Sequence, residues 1–512
     1  MSSFLGLNIA MKGIFASQRS IYVVDHNISN ADTEGYSRQI SGQTASLPLK
    51  AGRNLGMIGT GVNSTDVTRI RDIFLDKRYW EQNPKYGEWN VKSSSLYQIE
   101  AIMNETSENG LNGVMALFIS SMEELCKYPE SDEVRTIIRQ NGEALCKYLN
   151  SSAATLTDFR EDYNQCVKIK INEINSCAKQ IRDLNEQIYK AELNGTIAND
   201  LRDKRDLLVD KLSQIADVEV NEIKTGTLPD GRQDIRFQVT INGQNLVSHF
   251  QVNELQCYEI DDDSINNGMY GIKWENTGNE IRIEGGELKA YLDLRDGNGE
   301  KGSYKGVPYY MNMLDTFAST LAKAFNEGIY ADGIQQCSGH AAGYGLDGST
   351  GVRFFTCNGM SSEEFMESGA DTGSIYSNIS AANISVSSDI LADTDKLAAA
   401  SSSGGAGNSE NADILLSIFS DSGVFDEGMP EDYINTIVSN MGINSDYASR
   451  LSDTQESILN KIENSRISVS GVSLDEETTK LVKYQQTYNA ASKMISVLDE
   501  LLDTTINKMG MG

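Results

Sequence analysis

Proline is scarce in this chain. Six prolines serve 512 residues, at positions 48, 84, 129, 229, 308 and 430. None falls between Glu130 and Leu228, and none follows Pro430. Proline breaks helices, so both tracts are free to run as long ones. Long apolar runs are missing as well. Unbroken ones stay as short as Val114 to Ile119, against the ~20 residues that a spanning helix needs. At 39% hydrophobic, the chain can fill soluble cores but not a membrane. Basic charge is in deficit, with 44 Lys and Arg against 73 Asp and Glu and a net charge of −29. That balance repels nucleic acid and anionic lipid, so neither is expected as a partner. The acidity is spread along the chain, as on a solvated surface. The first residues, Met-Ser-Ser-Phe-Leu-Gly-Leu-Asn, lack a basic region, a long apolar core and a small-residue cleavage site. No cleavable secretory signal is expected.

Site chemistry is equally thin. The three histidines, His26, His249 and His340, are far apart, and one Cys-x-x-His pair, Cys337 and His340, is too few ligands for a metal site. The seven cysteines are odd in number and form no Cys-x-x-Cys, which argues against a disulfide framework. His-Glu-x-x-His, a Walker loop and Gly-x-Ser-x-Gly are all absent. Gly-x-Gly-x-x-Gly occurs at Gly297 to Gly302 and at Gly343 to Gly348. Neither copy links an apolar strand to a helix, so both read as loops. Asp261-Asp262-Asp263 and the acidic stretch from Asp293 to Glu300 fail the EF-hand spacing. No catalytic residue, metal or cofactor is expected.

What the chain does have lies at its two ends. Phe4, Leu7, Met11, Ile14, Gln18, Ile21, Asp25 and Ile28 recur in steps of three and four. Leu474, Thr478, Leu481, Tyr484, Tyr488, Ala491, Ile495, Leu498, Leu502, Thr505 and Met509 do nearly the same. A period of about 3.5 residues draws one narrow stripe along a helix. One amphipathic helix cannot bury its own stripe. The expected solution is pairing of the ends with each other and with neighbouring copies, which makes this an assembly protein.

Between the ends the chain is long enough for several domains. Leu156, Phe159, Tyr163, Val167, Ile171, Ile174, Cys177, Ile181, Leu184 and Ile188 mark a helix starting near Asp132 and stopping near Asn194-Gly195. A shorter helix is expected from about Ala198 to Ala216, and others over Tyr304 to Tyr330 and around Tyr447 to Ser465. The last is expected to pack antiparallel on the first, with a break at Ser470-Gly471. Period-two alternation at Val218 to Val220, Ile235 to Ile241 and Gly271 to Ile283 signals strands, with a hairpin turn at Asn242-Gly243. Short β-like runs recur at Val352 to Thr356 and Ile384 to Val386. The expected class is multidomain α+β. Residues 1–35 with 472–512 form a terminal α-helical coiled coil. Residues 36–218, 286–338 and 396–471 form a helical rod. Residues 219–285 and 339–395 form an inserted β-rich outer domain.

The segment Asn27-Ile-Ser-Asn30-Ala-Asp32-Thr33-Glu-Gly35-Tyr36-Ser-Arg38 resembles the N-terminal motif of flagellar axial proteins, Asn-x-x-Asn-x-Asn-Thr-x-Gly-Tyr-x-Arg, with Asp32 where Asn is usual. Physically, Asn30, Asp32 and Thr33 suit a helix end, Gly35 suits positive φ, and Tyr36 can offer a polar tip to a neighbouring subunit. Three more stretches, Gly195 to Leu208, Gly285 to Asp315 and Gly471 to Met494, are similar to the hook-associated protein 1 branch of that family. The resemblance is thinnest over roughly 230–280 and 340–380. It implies a non-catalytic, secreted structural subunit of the bacterial flagellum at the hook–filament junction. It implies assembly into a ring of copies, contact with hook protein and with a second hook-associated protein on the filament side, and type III export with a cytoplasmic chaperone on the C-terminal helix. Another axial protein of hook or rod, or a scaffold-borne cell-wall hydrolase, are the alternatives. The expected assembly interface comprises Leu7, Met11, Ile14, Ile21 and Ile28, then Asn30, Thr33, Gly35 and Tyr36, then Leu481, Tyr488, Ile495, Leu498, Leu502 and Met509.

Overall fold

A computed structural model describes residues 2–50, 56–103, 110–193, 195–227, 233–261, 266–331, 334–369, 371–403, 405 and 407–508. The chain opens with helix α1 (Ser2–Ser29). A β-ribbon follows, with β1 (Gln39–Ala45) paired antiparallel to β4 (Val62–Arg69) and extended by β2 (Leu49–Lys50) against β3 (Met57–Ile58). Then come α2 (Ile73–Met103), α3 (Leu111–Lys127), α4 (Asp132–Glu192) and α5 (Asn199–Ile215). At 61 residues, α4 reaches about 90 Å. Its length follows from the proline-free tract and an apolar stripe that never breaks phase.

A four-stranded antiparallel sheet comes next, β5 (Val218–Thr227), β6 (Gln233–Ile241), β7 (Gln244–Ser248) and β8 (Gln251–Val252), with β9 (Leu255–Glu259) paired to β10 (Tyr270–Trp274). Asn242 and Gly243 take φ of 46° and 72° and turn β6 into β7, the two positive angles of a type I′ hairpin. Helices α6 (Gly286–Asp296) and α7 (Val307–Glu327) follow. Short elements come after them: β11 (Tyr330–Ala331), β12 (Ile334–Gln335), β13 (Phe355–Cys357), α8 (Ser362–Glu367), α9 (Thr372–Tyr376), β14 (Ile384–Val386), α10 (Ser388–Ala392) and α11 (Glu410–Ile418). The chain closes with α12 (Pro430–Ser470) and α13 (Leu474–Asp503).

Two hydrophobic cores form along α4. One gathers Leu145, Leu149 and Leu156 with Phe118, Phe317, Phe325, Phe354 and Phe355. The other gathers Val167, Ile171, Ile174 and Ile181 with Val209, Leu212, Val239, Ile272 and Trp274. This differs from the sequence-based expectation in two respects. Residues 219–285 and 339–395 do not share a β unit. The first segment packs on the C-terminal half of α4, while β13 and β14 pack on its N-terminal half. Alternation marks a strand but carries no information about which core receives it. In addition, α12 packs antiparallel on α2, not on α4. Arg466 meets Asp76, and Tyr447 lies edge-on to Trp89, 5.8 Å between ring centroids. The stripe of α4 is already covered by α3, α5, α6 and the sheets.

His340 is wholly buried in the first core. Its Nε2 accepts from the Ala398 amide at 2.9 Å, so Nδ1 carries the proton and donates to the Val352 carbonyl at 2.8 Å. Burial, with help from Arg135 and Arg353, pushes its pKa down to about 4. The native state therefore holds the ring neutral. Below pH ~6.5 an unfolded chain takes up a proton that the native chain refuses. Stability is expected to fall by about 3 kcal/mol between pH ~6.5 and ~4. Melting curves at pH 7.5 and 5.0 check this. A His340→Gln chain should start less stable and lose less over that interval.

The seven cysteines are free thiols, with Cys146 and Cys357 buried. Burial and the neighbouring Asp413 push the Cys126 thiol up to about 12, away from the reactive thiolate.

Candidate assembly site at the root of the terminal helices

The two end helices lie against each other, antiparallel, within one chain. A Cβ placed on Gly6 would stand 3.3 Å from Leu498, and one on Gly13 would stand 3.7 Å from Ala491. At the other end of the pair Asn27 bonds Glu477. On α13 the half-buried large side chains are Leu481, Tyr484, Tyr488, Ile495, Leu498 and Leu502. On α1 the buried residues are Ala10, Ala16, Ser17, Ser20, Val24 and Asn27. Leu498 thus lies on Gly6 and Ala491 on Gly13, and glycine at both crossings lets the axes come close.

The stripe expected on α1 is rotated by one residue from the buried one. Met11, Ile14, Gln18, Ile21, Asp25 and Ile28 each follow by one a member of Ala10, Gly13, Ser17, Ser20, Val24 and Asn27. Leu7, Ile14, Ile21 and Ile28 are half-buried on its flank, and Met11 is exposed. Phe4, Phe15 and Tyr22 are exposed by 66%, 61% and 63%. On α13, Val482, Met494, Val497 and Leu501 are exposed. Leu474, Thr478 and Thr505 from the expected C-terminal stripe are exposed too. Met509 lies outside the described residues.

The motif after α1 ends the helix and turns the chain back. Asn30 donates from its amide nitrogen and from Nδ2 to the His26 carbonyl, and Thr33 Oγ1 donates to Asn30 Oδ1. Gly35 takes φ of 75°, and a Cβ there would lie 3.1 Å from Leu207. The Tyr36 hydroxyl is turned inward within the chain. Its hydroxyl donates to Asn27 Oδ1 at 2.8 Å, and its ring stands edge-on to His26. Burial, then Asp200, Asp203 and Glu477, push that phenol well above its ordinary value.

Asn27 is fully buried and fully bonded. Its Nδ2 donates to the Gln39 carbonyl and to Glu477 Oε2, and its Oδ1 also accepts from the Gln39 amide. Glu477, 1% exposed, accepts in addition from Arg38 Nε at 2.9 Å and Lys480 Nζ at 2.9 Å. Arg38 also meets Glu476 at 2.9 Å, and its amide donates to the Ser470 carbonyl.

A second charged group lies beneath the loop. Asp203 of α5 accepts from the Ser37 amide at 2.9 Å, the Ser37 hydroxyl at 2.8 Å and Arg69 at 2.7 Å. Asp206 meets Arg69 at 2.7 Å. Burial would push the Asp206 carboxyl up, but Arg205, Arg69 and Arg71 outweigh it and hold the pKa below the ordinary value. Arg205, stacked on Phe237 at 3.6 Å, is itself pushed down to about 10 by burial. Arg71 bridges to Asp76, and Arg466 of α12 joins Asp76 at 3.0 Å to Asp210 at 2.8 Å. Burial keeps Asp210 above the ordinary carboxylate value despite Arg466 and Arg71. Sequence reasoning passed over Glu477 and this group. The signal was present: Asp200, Asp203, Asp206 and Asp210 recur along one face of α5, beside arginines in the same segment.

These groups pair chiefly with each other and tie together α1, the ribbon, α2, α5, α12 and α13. Among the described residues no group of three or more His, Cys, Asp or Glu is placed to hold a metal ion, and no helix is long and apolar enough to cross a membrane.

Residues 96–355 match the family model described as the flagellar hook-associated protein FlgK helical domain. Residues 463–509 match the model for the flagellar basal body rod FlgEFG protein C-terminal. Flagellar hook-associated protein 1 of Bacillus subtilis is 31% identical, over 100% of this chain and 99% of its own length. The protein of that name from Escherichia coli is 24% identical, over 99% of this chain and 100% of its own. In fold, the chain is similar to the flagellar hook junction protein FlgK from Burkholderia pseudomallei, with a TM-score of 0.60 at 13% identity over 77% of this chain and 100% of that one. With a full-length relative at this identity and a family model spanning half its residues, the chain belongs to the flagellar hook-associated protein 1 family.

Proposed function

We propose that this chain is a structural subunit of the bacterial flagellum at the hook–filament junction, and that copies join through their paired terminal helices. The observation that carries the assembly reading is the apolar surface left on that pair. Small residues hold α1 to α13, while Phe4, Met11, Phe15, Tyr22, Val482, Met494, Val497 and Leu501 stay exposed. Large apolar side chains gathered on so narrow a module mark a contact surface. In this reading residues 1–35 with 472–512 form the module that packs against other copies, against hook protein and against the filament-side junction protein. The two cores along α4 form the outer body. The chain is exported through the flagellar apparatus, with a chaperone on α13 before assembly. It works as a building part and carries out no catalysis.

The test is a strain lacking this chain. Electron cryo-microscopy should show hooks with bare tips, with filament protein in the medium, and restoring the chain should restore filaments. Filaments on hooks in the strain without it would sink the proposal.

A further inference from the structure

The terminal helices keep one register. Gly6 faces Leu498, Gly13 faces Ala491, and Asn27 bonds Glu477. Intervals along one helix are matched residue for residue along the other. Apolar packing does not account for this choice. Gly6 faces a leucine and Gly13 an alanine, and α13 carries further seam residues of mixed size at every step of three or four. Sliding α13 by a turn, about 5 Å, would replace one seam residue by the next and keep an apolar side chain against most of α1. The three-residue linker 471–473 is extended at Gly471 and Ser473, so it can fold back by a few ångströms and follow a slide that shortens it. Beyond its first turn α13 rests chiefly on α1. One contact is not interchangeable. Glu477, 1% exposed, needs Asn27 on one side and Arg38 on the other. A slide would take the carboxylate from both and leave it only Lys480 of its own helix, and a polar group within an apolar seam fixes register in this way.

We propose that the Asn27–Glu477–Arg38 contact is the register lock of the terminal pair. It decides which large residues of α13 face α1 and which face outward. The outward consequence rests on the assembly reading above, but the lock itself does not.

The test uses the full chain as a monomer. A Cβ on Gly13 would stand 3.7 Å from the Ala491 Cβ, a spacing that a disulfide accepts. Gly13→Cys is combined in turn with Ala491→Cys, Tyr488→Cys and Ile495→Cys. Each chain is oxidised, and the linked peptides are identified by mass, which sets aside the native cysteines. The Ala491 product should exceed either shifted product by about tenfold or more, and adding Glu477→Leu or Asn27→Leu should bring a shifted product to within about threefold of it. An Ala491 product that keeps its full lead in either variant overturns the lock. Loss of all three products overturns it too, because the contact would then hold the helices together and not in register. These links form in the monomer, so a failure of assembly leaves their reading intact.

Discussion

A chain carrying Leu498→Asp should fold its body and fail to assemble. Leu498 is half-buried, with both its methyl groups 3.3–3.4 Å from where a Gly6 Cβ would stand. The substitution removes that apolar contact and puts a carboxylate against a glycine face. The loss is about 2–4 kcal/mol of α1–α13 pairing. Neither core contains Leu498, so the main melting transition should move by no more than about 2 °C. Amide exchange over 2–29 and 474–503 should speed up, and limited proteolysis should cut first within α13. In cells the expected result is hooks without filaments, filament protein in the medium and no swimming. Glu500→Gln, on an exposed position of the same helix, should swim. Normal filaments built on Leu498→Asp subunits would show that this stripe is not where copies join.

Periodicity made some elements legible and hid others. α4 could be read from near Asp132 to its last turn, which ends at Glu192, because its apolar stripe keeps phase and no proline intrudes. α2 could not. Pro84 sits inside it, and proline in a helix interior normally argues for a break. The β1–β4 ribbon is polar along most of its length and shows little alternation. The buried stripe on α1 lies one residue from the expected one for a related reason. A hydrophobicity count follows Met11, Ile14 and Ile21, whereas the close approach of α13 and of the β-ribbon selects small residues such as Gly13 and Ser20. On α13, where the large residues face inward, count and burial coincide from Leu481 to Leu502. Partner choice is a separate matter. Nothing in the pattern of α12 distinguishes α2 from α4, and nothing in β13 or β14 says which core will take them. The charged root of the terminal helices is assembled from residues up to 450 apart. No local pattern announces that Glu477 will meet Asn27, although each lies in a stretch that carries the family resemblance.

The root should also be where a single substitution costs the body most. Asp203 is 4% exposed and accepts from the Ser37 amide and hydroxyl and from Arg69, with Arg71 at 3.8 Å. Asp203→Leu keeps the bulk and removes every acceptor. Arg69 is left to Asp206, Arg71 loses part of its compensation, and the Ser37 amide has nothing to bond. Removing one partner from a buried ionic cluster costs about 3–5 kcal/mol. Asp203→Asn keeps an acceptor oxygen for Ser37 and should cost less, about 1–3 kcal/mol. Because α5 also carries Val209 and Leu212 into the second core, the loss should appear in the main melting transition. It should be joined by faster amide exchange over residues 30–38, where the motif loop is held down. Leu498→Asp should do the reverse, loosening the ends while sparing the melt. The two variants together therefore separate a seam that joins copies from a root that holds the seam to the body. An unchanged melt and an unchanged loop in Asp203→Leu would mean that the arginines find new partners among the remaining aspartates, and that the root is redundant.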